Sequence, residues 1–155
     1  MAQQAWTVTA IGTVASSRSE AIDDDWGDVT ATITLASPLD ERSVAGLDGF
    51  SHVEVVFLFD RVDPAGVCLH ARHPRGNLDW PEVGILAQRA KDRPNRIGLC
   101  TCELVAVDGL SIVVRGLDAI DGTPVLDVKP YMEEFAPRGE VRQPAWSREL
   151  MREYW

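Results

Sequence analysis

Two β-rich runs joined by Asp108-Gly109 limit the possible folds of this chain more than any other feature. The runs, residues 99–107 and 110–116, are rich in Leu, Val and Ile. An Asp-Gly pair between two such runs is typical of a β-hairpin with a type I′ turn, because the two central residues of that turn need positive φ. The hairpin places two antiparallel strands side by side, so the fold must contain an antiparallel sheet.

Further β-rich segments occur along the chain without an alternation of strands and helices. They are predicted at residues 6–15 (with a bulge or close approach at Gly12), 29–35, 50–62, 84–88 and 123–131. Segment 50–62 is mostly apolar, which predicts a central strand buried on both faces. About seven strands and little helix favour an all-β fold, a small β-barrel formed by a single domain over residues 1–155.

Two short helices are predicted outside the strands. Asp40 is expected to cap a helix over residues 41–45, with Gly46 ending it. Pro144 is expected to begin a C-terminal helical tail that continues through residues 146–155.

The composition excludes several classes of function. With 15 basic and 24 acidic residues the net charge is −9, which argues against a broad nucleic-acid-binding face but leaves room for a local anion site. No apolar run is long enough to cross a membrane, and no signal peptide is predicted. Three cysteines predict free thiols and a cytoplasmic location, with Cys100 and Cys102 on one face of a strand. His70 and His73 lack further ligands at suitable spacing, so no metal is expected.

A cationic loop between two predicted strands is the first candidate for a ligand site. Within eight residues it contains Arg89, Lys91, Arg93 and Arg96, opposed only by Asp92. Pro94 and Asn95 stiffen and turn the chain, and Gly98 permits a close approach. The pattern indicates a loop that holds an anion or a polar ligand.

A second candidate is LDAIDGTPVLDVKPY, residues 117–131. Asp118 and Asp121 could accept hydrogen bonds from hydroxyl or amine groups, and Gly122 permits an unusual backbone dihedral. Either segment alone is compatible with a turn and solvated charges; the two together favour a site. The acidic loop around Asp23, Asp24 and Asp25 would by itself be interpreted as solvated, although Trp26 within it is expected to pack on something.

These segments resemble the TsaA-like family, also called TrmO or YaeB-like. RAKDRPNRIGL at residues 89–99 resembles R-S-x-x-R-P-N-P-I-G-L, and residues 117–131 resemble L-D-x-x-D-G-T-P-V-x-D-I-K-P-Y. LDGFSHVEVVFLF at residues 47–59 and IGTV at residues 11–14 resemble two further strands. The likeness covers nearly the whole chain in order.

The resemblance implies a small β-barrel that works as a homodimer and as an S-adenosylmethionine-dependent methyltransferase. Known members methylate N6 of threonylcarbamoyl-adenosine 37 in tRNA. The cofactor contacts that it implies fall on Asp24, Asp25, Asp60, Arg61, Arg89, Leu99, Leu117, Asp118, Ala119 and Ile120. Acceptor contacts are expected at Arg93, Asn95, Lys129 and Tyr131. A catalytic base, if one is used, is expected among Asp60, Asp118 and Asp121.

The chain departs from the family pattern at positions near the expected cofactor. Three aspartates, residues 23–25, stand where the family has P-R-Q, and Asp60-Arg61 stand where it has H-Q. The acceptor is therefore left open between tRNA and a small molecule. A third alternative is a module that binds S-adenosylmethionine without turning it over.

Overall fold

The computed structural model describes residues 2–155, which contain eight strands. The strands are β1 Gly12–Ser16, β2 Thr30–Leu35, β3 His52–Leu58, β4 Ala71–Arg72, β5 Val83–Gly84, β6 Ile97–Asp108, β7 Ser111–Arg115 and β8 Pro124–Pro130. Six of them close into an antiparallel barrel in the order β1-β2-β7-β6-β3-β8. The remaining strands, β4 and β5, form a small separate ribbon. The expected all-β barrel with short helices is confirmed.

Alternate side chains of the strands fill the inside of the barrel. Val14, Ile33, Val55, Phe57 and Val125 are each at most 1% exposed. Cys100 and Cys102 point into the same core, as their spacing predicts. This two-residue periodicity explains why one face of each strand is apolar and the other is mixed.

Three long loops leave the barrel at one end. The register pairs Ser16 with Ala31, Thr30 with Arg115, and Leu58 with Ile97, so these strand ends are neighbours. The loops 17–29, 59–96 and 116–123 all emerge there, and we call this end of the barrel the site end. Loop 59–96 carries β4, β5 and several short 3-10 helices.

The prediction of a strand over residues 84–88 is wrong. Only Val83–Gly84 form a strand, and Ile85–Ala87 form a 3-10 helix. The buried Gln88 side chain donates hydrogen bonds to the carbonyl oxygens of Arg72 and Val83. These bonds bend the segment back on the ribbon instead of extending it into the barrel.

Two predicted strands are shorter than expected. β1 begins only at Gly12, where a Cβ atom would lie 2.6 Å from the carbonyl oxygen of Thr34, so the predicted close approach is confirmed. β3 ends at Leu58, and only one of its faces is buried. The expectation of burial on both faces is wrong because a closed barrel has one inside and one outside, and the outward residues Glu54, Val56 and Leu58 are only half-buried.

The hairpin is confirmed with a different turn. Asp108 pairs with Ser111, which makes Gly109 and Leu110 the central residues. Gly109 has φ 57°, whereas Leu110 is not among the residues with positive φ. Positive φ at the first central residue alone is the pattern of a type II′ turn, so the type I′ assignment is wrong.

The helices are shorter than predicted. Glu41–Val44 form a 3-10 helix that Asp40 caps by accepting a hydrogen bond from the Arg42 N–H. The α-helix α1 spans Ala145–Leu150 with Pro144 at its N-cap, and the remaining residues turn without continuing it. Within residues 2–155, no helix combines the length and the apolar character that a membrane crossing requires.

Candidate functional site

Arg89 and Leu99 meet at the site end. Arg89 follows the 3-10 helix Ile85–Ala87, and its Nη2 donates a hydrogen bond of 2.6 Å to the carbonyl oxygen of Leu99 on β6. The guanidinium group is exposed, and the outward Leu99 side chain is 46% exposed. An exposed cation that bonds the backbone of an exposed apolar residue suits a ligand with one anionic and one apolar part.

Only some side chains of the loop after β7, residues 116–123, are accessible to solvent. The side chains of Leu117 and Ala119 are buried in the core, whereas Asp118 and Ile120 point outward and are half-buried. A ligand at this loop would therefore contact the backbone of the first pair and the side chains of the second.

Asp118 is the centre of a buried polar contact. Its Oδ2 accepts a hydrogen bond from the phenol hydroxyl of Tyr154, while its Oδ1 is buried without a hydrogen-bond partner. Burial, and then the negative charge of Asp118, raise the pKa of Tyr154, and the positive charge of Arg89 partly opposes that shift. Arg89, Asp118 and Tyr154 therefore lie close enough to influence one another.

Cys100 lies beneath this contact. Three factors raise the pKa of the Cys100 thiol. The hydrogen bond with its neighbour Cys102 contributes most, followed by burial and then by the negative charge of Asp118. The thiol is therefore a neutral core group rather than a nucleophile.

Arg61 joins two loops of the site end. Its Nη1 donates to the carbonyl oxygen of Ser19 and its Nη2 to that of Asp121, each at 2.9 Å. The Asp121 carboxylate in turn accepts a hydrogen bond from the Ser16 N–H. Asp60 is exposed beside this junction, and it remains a candidate base.

The acidic loop is largely exposed to solvent, as interpreted from the sequence, but Asp24 and Trp26 within it make specific contacts. Both carboxylate oxygens of Asp24 accept hydrogen bonds from Arg75, at 2.9 and 3.2 Å. The Asp25 carbonyl oxygen accepts a bond from Arg18, whose guanidinium carbon lies 3.9 Å above the buried ring of Trp26. Trp26 does pack, as predicted. Because Arg75 already occupies its carboxylate, Asp24 is less available to a cofactor than the resemblance implies.

The cationic loop is held by its own arginines. Arg93 donates to the carbonyl oxygen of Gln88 at 2.6 Å, and Arg96 donates to that of Val62 at 2.9 Å. Asn95 adopts φ 62° between them. Arg93 and Asn95, both expected acceptor contacts, thus lie in a rigid turn at the site end.

Lys129 and Tyr131 lie elsewhere. Lys129 forms a salt bridge of 2.9 Å with Asp127 on β8, and the Tyr131 N–H bonds the carbonyl oxygen of His52 at the start of β3. That position is the opposite end of β3 from Leu58. The structure does not bring these two residues together with the others, and their contact with an acceptor stays a prediction.

A cavity of about 380 Å³ also lies at the opposite end of the barrel, lined mainly by apolar residues such as Leu39, Phe50 and Val128. This cavity is far from the polar groups described above. We place the candidate site at those polar groups, because their arrangement is stronger evidence for a ligand site than the size of the cavity.

Among residues 2–155, no three His, Cys, Asp or Glu side chains are grouped to hold a metal ion.

Sequence reasoning missed Tyr154 and Arg75. Both reach the site from distant parts of the chain, and no local spacing links them to Asp118 or Asp24. The two aromatic residues at the end of the chain, 154 and 155, are the one signal that could have indicated a docked segment.

The fold and these contacts define a small antiparallel β-barrel protein with a polar site formed by three loops at one end. A sequence model described as the tRNA-methyltransferase O N-terminal domain matches residues 24–136, and the chain belongs to this family.

The relatives of this chain are named for tRNA methylation and for S-adenosylmethionine. The human tRNA (adenine(37)-N6)-methyltransferase is 38% identical over 67% of this chain and 23% of its own length. A putative S-adenosylmethionine-dependent methyltransferase, RcsF, from Pseudomonas aeruginosa is 38% identical over 65% of this chain and 44% of its own length. A crystal structure of TrmO from Pseudomonas aeruginosa superposes with a TM-score of 0.76 at 26% identity, covering 94% of this chain and 63% of that one. The chain thus spans less than half the length of these two curated relatives.

Proposed function

We propose that this chain is an S-adenosylmethionine-dependent tRNA methyltransferase domain that acts on N6 of adenine 37 in its threonylcarbamoyl form. Family membership and the names of the relatives support the coarser activity. The modified base follows from the resemblance of residues 89–99 and 117–131 to the family motifs. A cytoplasmic location is inferred because a tRNA acceptor and free thiols fit a reducing compartment.

The observation that carries the proposal is the meeting of Arg89, Leu99 and Asp118 at the site end. All three lie inside the region that matches the family, and all three are positions where the motifs place cofactor contacts. Arg89 donates a hydrogen bond to the Leu99 backbone. Tyr154 donates a hydrogen bond to Asp118, and it is close enough to Arg89 for the charge of Arg89 to lower its pKa.

The residues of this site fit S-adenosylmethionine chemically. The exposed guanidinium of Arg89 suits the carboxylate of the methionine part, and Leu99 offers an apolar surface for the adenine. The Oδ1 of Asp118 is buried without a partner, and it would accept a hydrogen bond from an amine or a ribose hydroxyl that displaces the groups enclosing it. When bound, S-adenosylmethionine supplies a methyl group already activated on a sulfonium sulfur.

The chain's own residues then have to align the acceptor nitrogen and exclude water. A proton must leave that nitrogen as the new carbon–nitrogen bond forms, and a carboxylate at the site end would receive it. Asp60, Asp118 and Asp121 remain the candidates, since all three lie on loops of this end.

Four arginines at the site end support an RNA acceptor. Arg61, Arg89, Arg93 and Arg96 each donate to backbone carbonyl oxygens. Within residues 2–155, none of the four forms a salt bridge. Their charges are therefore oriented but not neutralised, which suits phosphate contacts.

The same end also favours a small cationic acceptor as the second candidate. Loop 17–29 carries one basic and five acidic residues, loop 59–96 seven basic and five acidic, and loop 116–123 two acidic residues. This excess of acid would weaken the binding of a polyanion and attract a small cation.

We further propose that the protein works as a homodimer through the outer face of β3 and β6. Ile97 and Leu99 are 44% and 46% exposed on this face, and Leu86 nearby in the chain is 79% exposed. Ile97 and Leu99 pair with Leu58 and Val56 across the two strands, which makes a continuous apolar strip beside Arg89. Covering this strip by a second copy would remove apolar surface from water next to the site.

Sedimentation equilibrium tests the dimer. Ile97→Lys is expected to shift the protein towards monomer, because it places a charge in the apolar strip. Val105→Lys is the matched control, since Val105 is also 44% exposed on β6 but lies towards its other end. Equal behaviour of both variants would argue against this face.

The experiment for the activity is methyl transfer from radiolabelled S-adenosylmethionine. Three acceptors are compared: tRNA with threonylcarbamoyl-adenosine 37, the same tRNA without that modification, and a mixture of small cationic amines. Label in the first alone supports the proposal, and label in the amines alone supports the second candidate. Cofactor binding without transfer to any acceptor would instead indicate a non-catalytic module.

A further inference from the structure

We propose that Tyr154 is a positioning residue of the cofactor site, which acts by holding the carboxylate of Asp118. This inference rests on the proposed function, because it assigns Tyr154 a role in binding S-adenosylmethionine. Tyr154 lies beyond residues 24–136, the part of the chain that matches the family, so family membership does not assign it.

The geometry at Asp118 gives the two carboxylate oxygens different surroundings. Oδ2 accepts the hydrogen bond from the Tyr154 hydroxyl, whereas Oδ1 is buried and has no partner. A buried carboxylate oxygen without a partner is costly, so a group that completes its bonding is expected to bind with a gain in free energy. The phenol therefore fixes the orientation of the carboxylate, and a ligand reaches the enclosed Oδ1 when a neighbouring group moves aside.

The C-terminal segment, residues 144–155, is docked well enough to hold the phenol in place. Trp80 Nε1 donates to the Glu149 carboxylate at 2.8 Å. The N–H groups of Asp25 and Trp26 donate to the carbonyl oxygens of Glu153 and Tyr154, at 2.9 and 2.8 Å. These contacts connect the segment with two of the three loops of the site end.

The docking also depends on a glycine in the acidic loop. A Cβ atom at Gly27 would lie 2.7 Å from the backbone carbonyl carbon of Trp155. The Trp155 ring packs edge-on against the Tyr154 ring at 4.8 Å between centroids. The phenol is therefore restrained by its neighbours before any ligand binds, which is the requirement for a positioning group.

The alternative is that the Tyr154 ring only fills space. The two possibilities differ in what the hydroxyl contributes, because a space-filling ring works equally well as Phe. They also differ in their dependence on Asp118. A positioning hydroxyl has an effect only while the carboxylate is present.

The test is a double-mutant cycle with S-adenosylmethionine binding measured by calorimetry on the full chain. Tyr154→Phe is expected to weaken binding about tenfold, the loss of a charge-assisted hydrogen bond at the site. In the Asp118→Asn background, the same change should alter the affinity by less than about twofold. Denaturant unfolding of all four proteins checks that the folded fraction is not the cause.

Trp80→Phe is the matched control, since it removes one anchoring hydrogen bond but keeps the phenol and the two backbone bonds that hold Glu153 and Tyr154. It should leave the affinity within about twofold of wild type. Unchanged or tighter binding by Tyr154→Phe would overturn the inference and leave the proposed function intact. The same conclusion would follow if Tyr154→Phe lowered the affinity equally in the wild-type and Asp118→Asn proteins. Absence of binding by the wild-type chain would overturn the inference and the proposed function together.

Discussion

The ring of Phe57 lies directly on the backbone of Gly98, its cross-strand partner between β3 and β6. A Cβ atom at residue 98 would lie 2.4 Å from Cε2 of that ring, and the ring itself is only 1% exposed. This contact joins the buried core directly to the strand that carries Leu99.

We therefore expect Gly98→Ala to destabilise the protein by about 1–3 kcal/mol, the usual range for overpacking a core. The Phe59 ring packs edge-on against the buried Phe57 ring at 5.3 Å between centroids, so a shift of the Phe57 ring away from residue 98 would disturb the core. Chemical denaturation measures the free energy of unfolding. Gly84→Ala is the matched control, because no atom lies within 4 Å of a Cβ placed there and its φ of −58° suits alanine. Similar losses in both variants would contradict the packing argument.

The sequence was sufficient for the barrel because the barrel depends on local patterns. Alternating apolar residues predicted β2 within one residue of its observed start, and Gly98 was expected to permit a close approach. The failures are also local. Residue 88 was predicted to end a strand, but the hydrogen bonds of the Gln88 side chain hold the segment in a turn. Secondary-structure propensities do not predict which carbonyl groups one side-chain amide will bond.

The candidate site was predictable only in part. Arg89 and Leu99 are close in sequence and belong to one motif, so their meeting could be anticipated. The contact between Asp118 and Tyr154 depends on the path of the chain after β8, and the pairing of Asp24 with Arg75 joins two different loops. Such long-range polar contacts follow from the packed fold and not from spacing.

Arg89→Ala should weaken S-adenosylmethionine binding by about 1.5–3 kcal/mol, as expected for the loss of a hydrogen bond to a charged group. The change removes the exposed guanidinium and its bond to the Leu99 carbonyl oxygen. Calorimetric titration provides the affinity. Lys91→Ala removes a neighbouring exposed cation that contacts only Asp92, and it should bind nearly as well as wild type. If both variants lose the same affinity, a general loss of positive charge explains the effect and Arg89 has no specific role.

Arg61→Ala should loosen the two loops that Arg61 connects. Each of its hydrogen bonds to Ser19 and Asp121 contributes roughly 0.5–1.5 kcal/mol, the range for ordinary hydrogen bonds, because Arg61 is exposed and solvent weakens the effect of its charge. We expect faster amide hydrogen exchange at Ser16 and Asp121, whose N–H groups bond within this junction. Arg42→Ala is the control of the same residue type, because the Arg42 side chain is 91% exposed in its pair with Asp40 and such pairs add little. Unchanged amide exchange in the Arg61 variant would mean that the two loops keep their positions without the hydrogen bonds of Arg61.

The stability of the fold should fall at alkaline pH because of Tyr154. Burial, followed by the negative charge of Asp118, raises the pKa of Tyr154 above its ordinary value of 10.0, and the positive charge of Arg89 opposes this shift. The folded chain therefore keeps the phenol proton at a pH where the unfolded chain has lost it. The contribution is complete below about pH 10 and is lost as the pH rises further, towards the pKa of the folded state.

Denaturant midpoints between about pH 8 and about pH 11 measure this dependence, with Tyr154→Phe as the comparison. All other titratable groups are the same in the two proteins, so the difference between the two curves belongs to residue 154. We expect the wild-type curve to fall more steeply above about pH 10, because only the wild type has at residue 154 a phenol that the folded chain keeps protonated and the unfolded chain does not. Parallel curves across the range would show that the phenol ionises equally easily in the folded and unfolded chains, and the contact with Asp118 would then not be buried in solution.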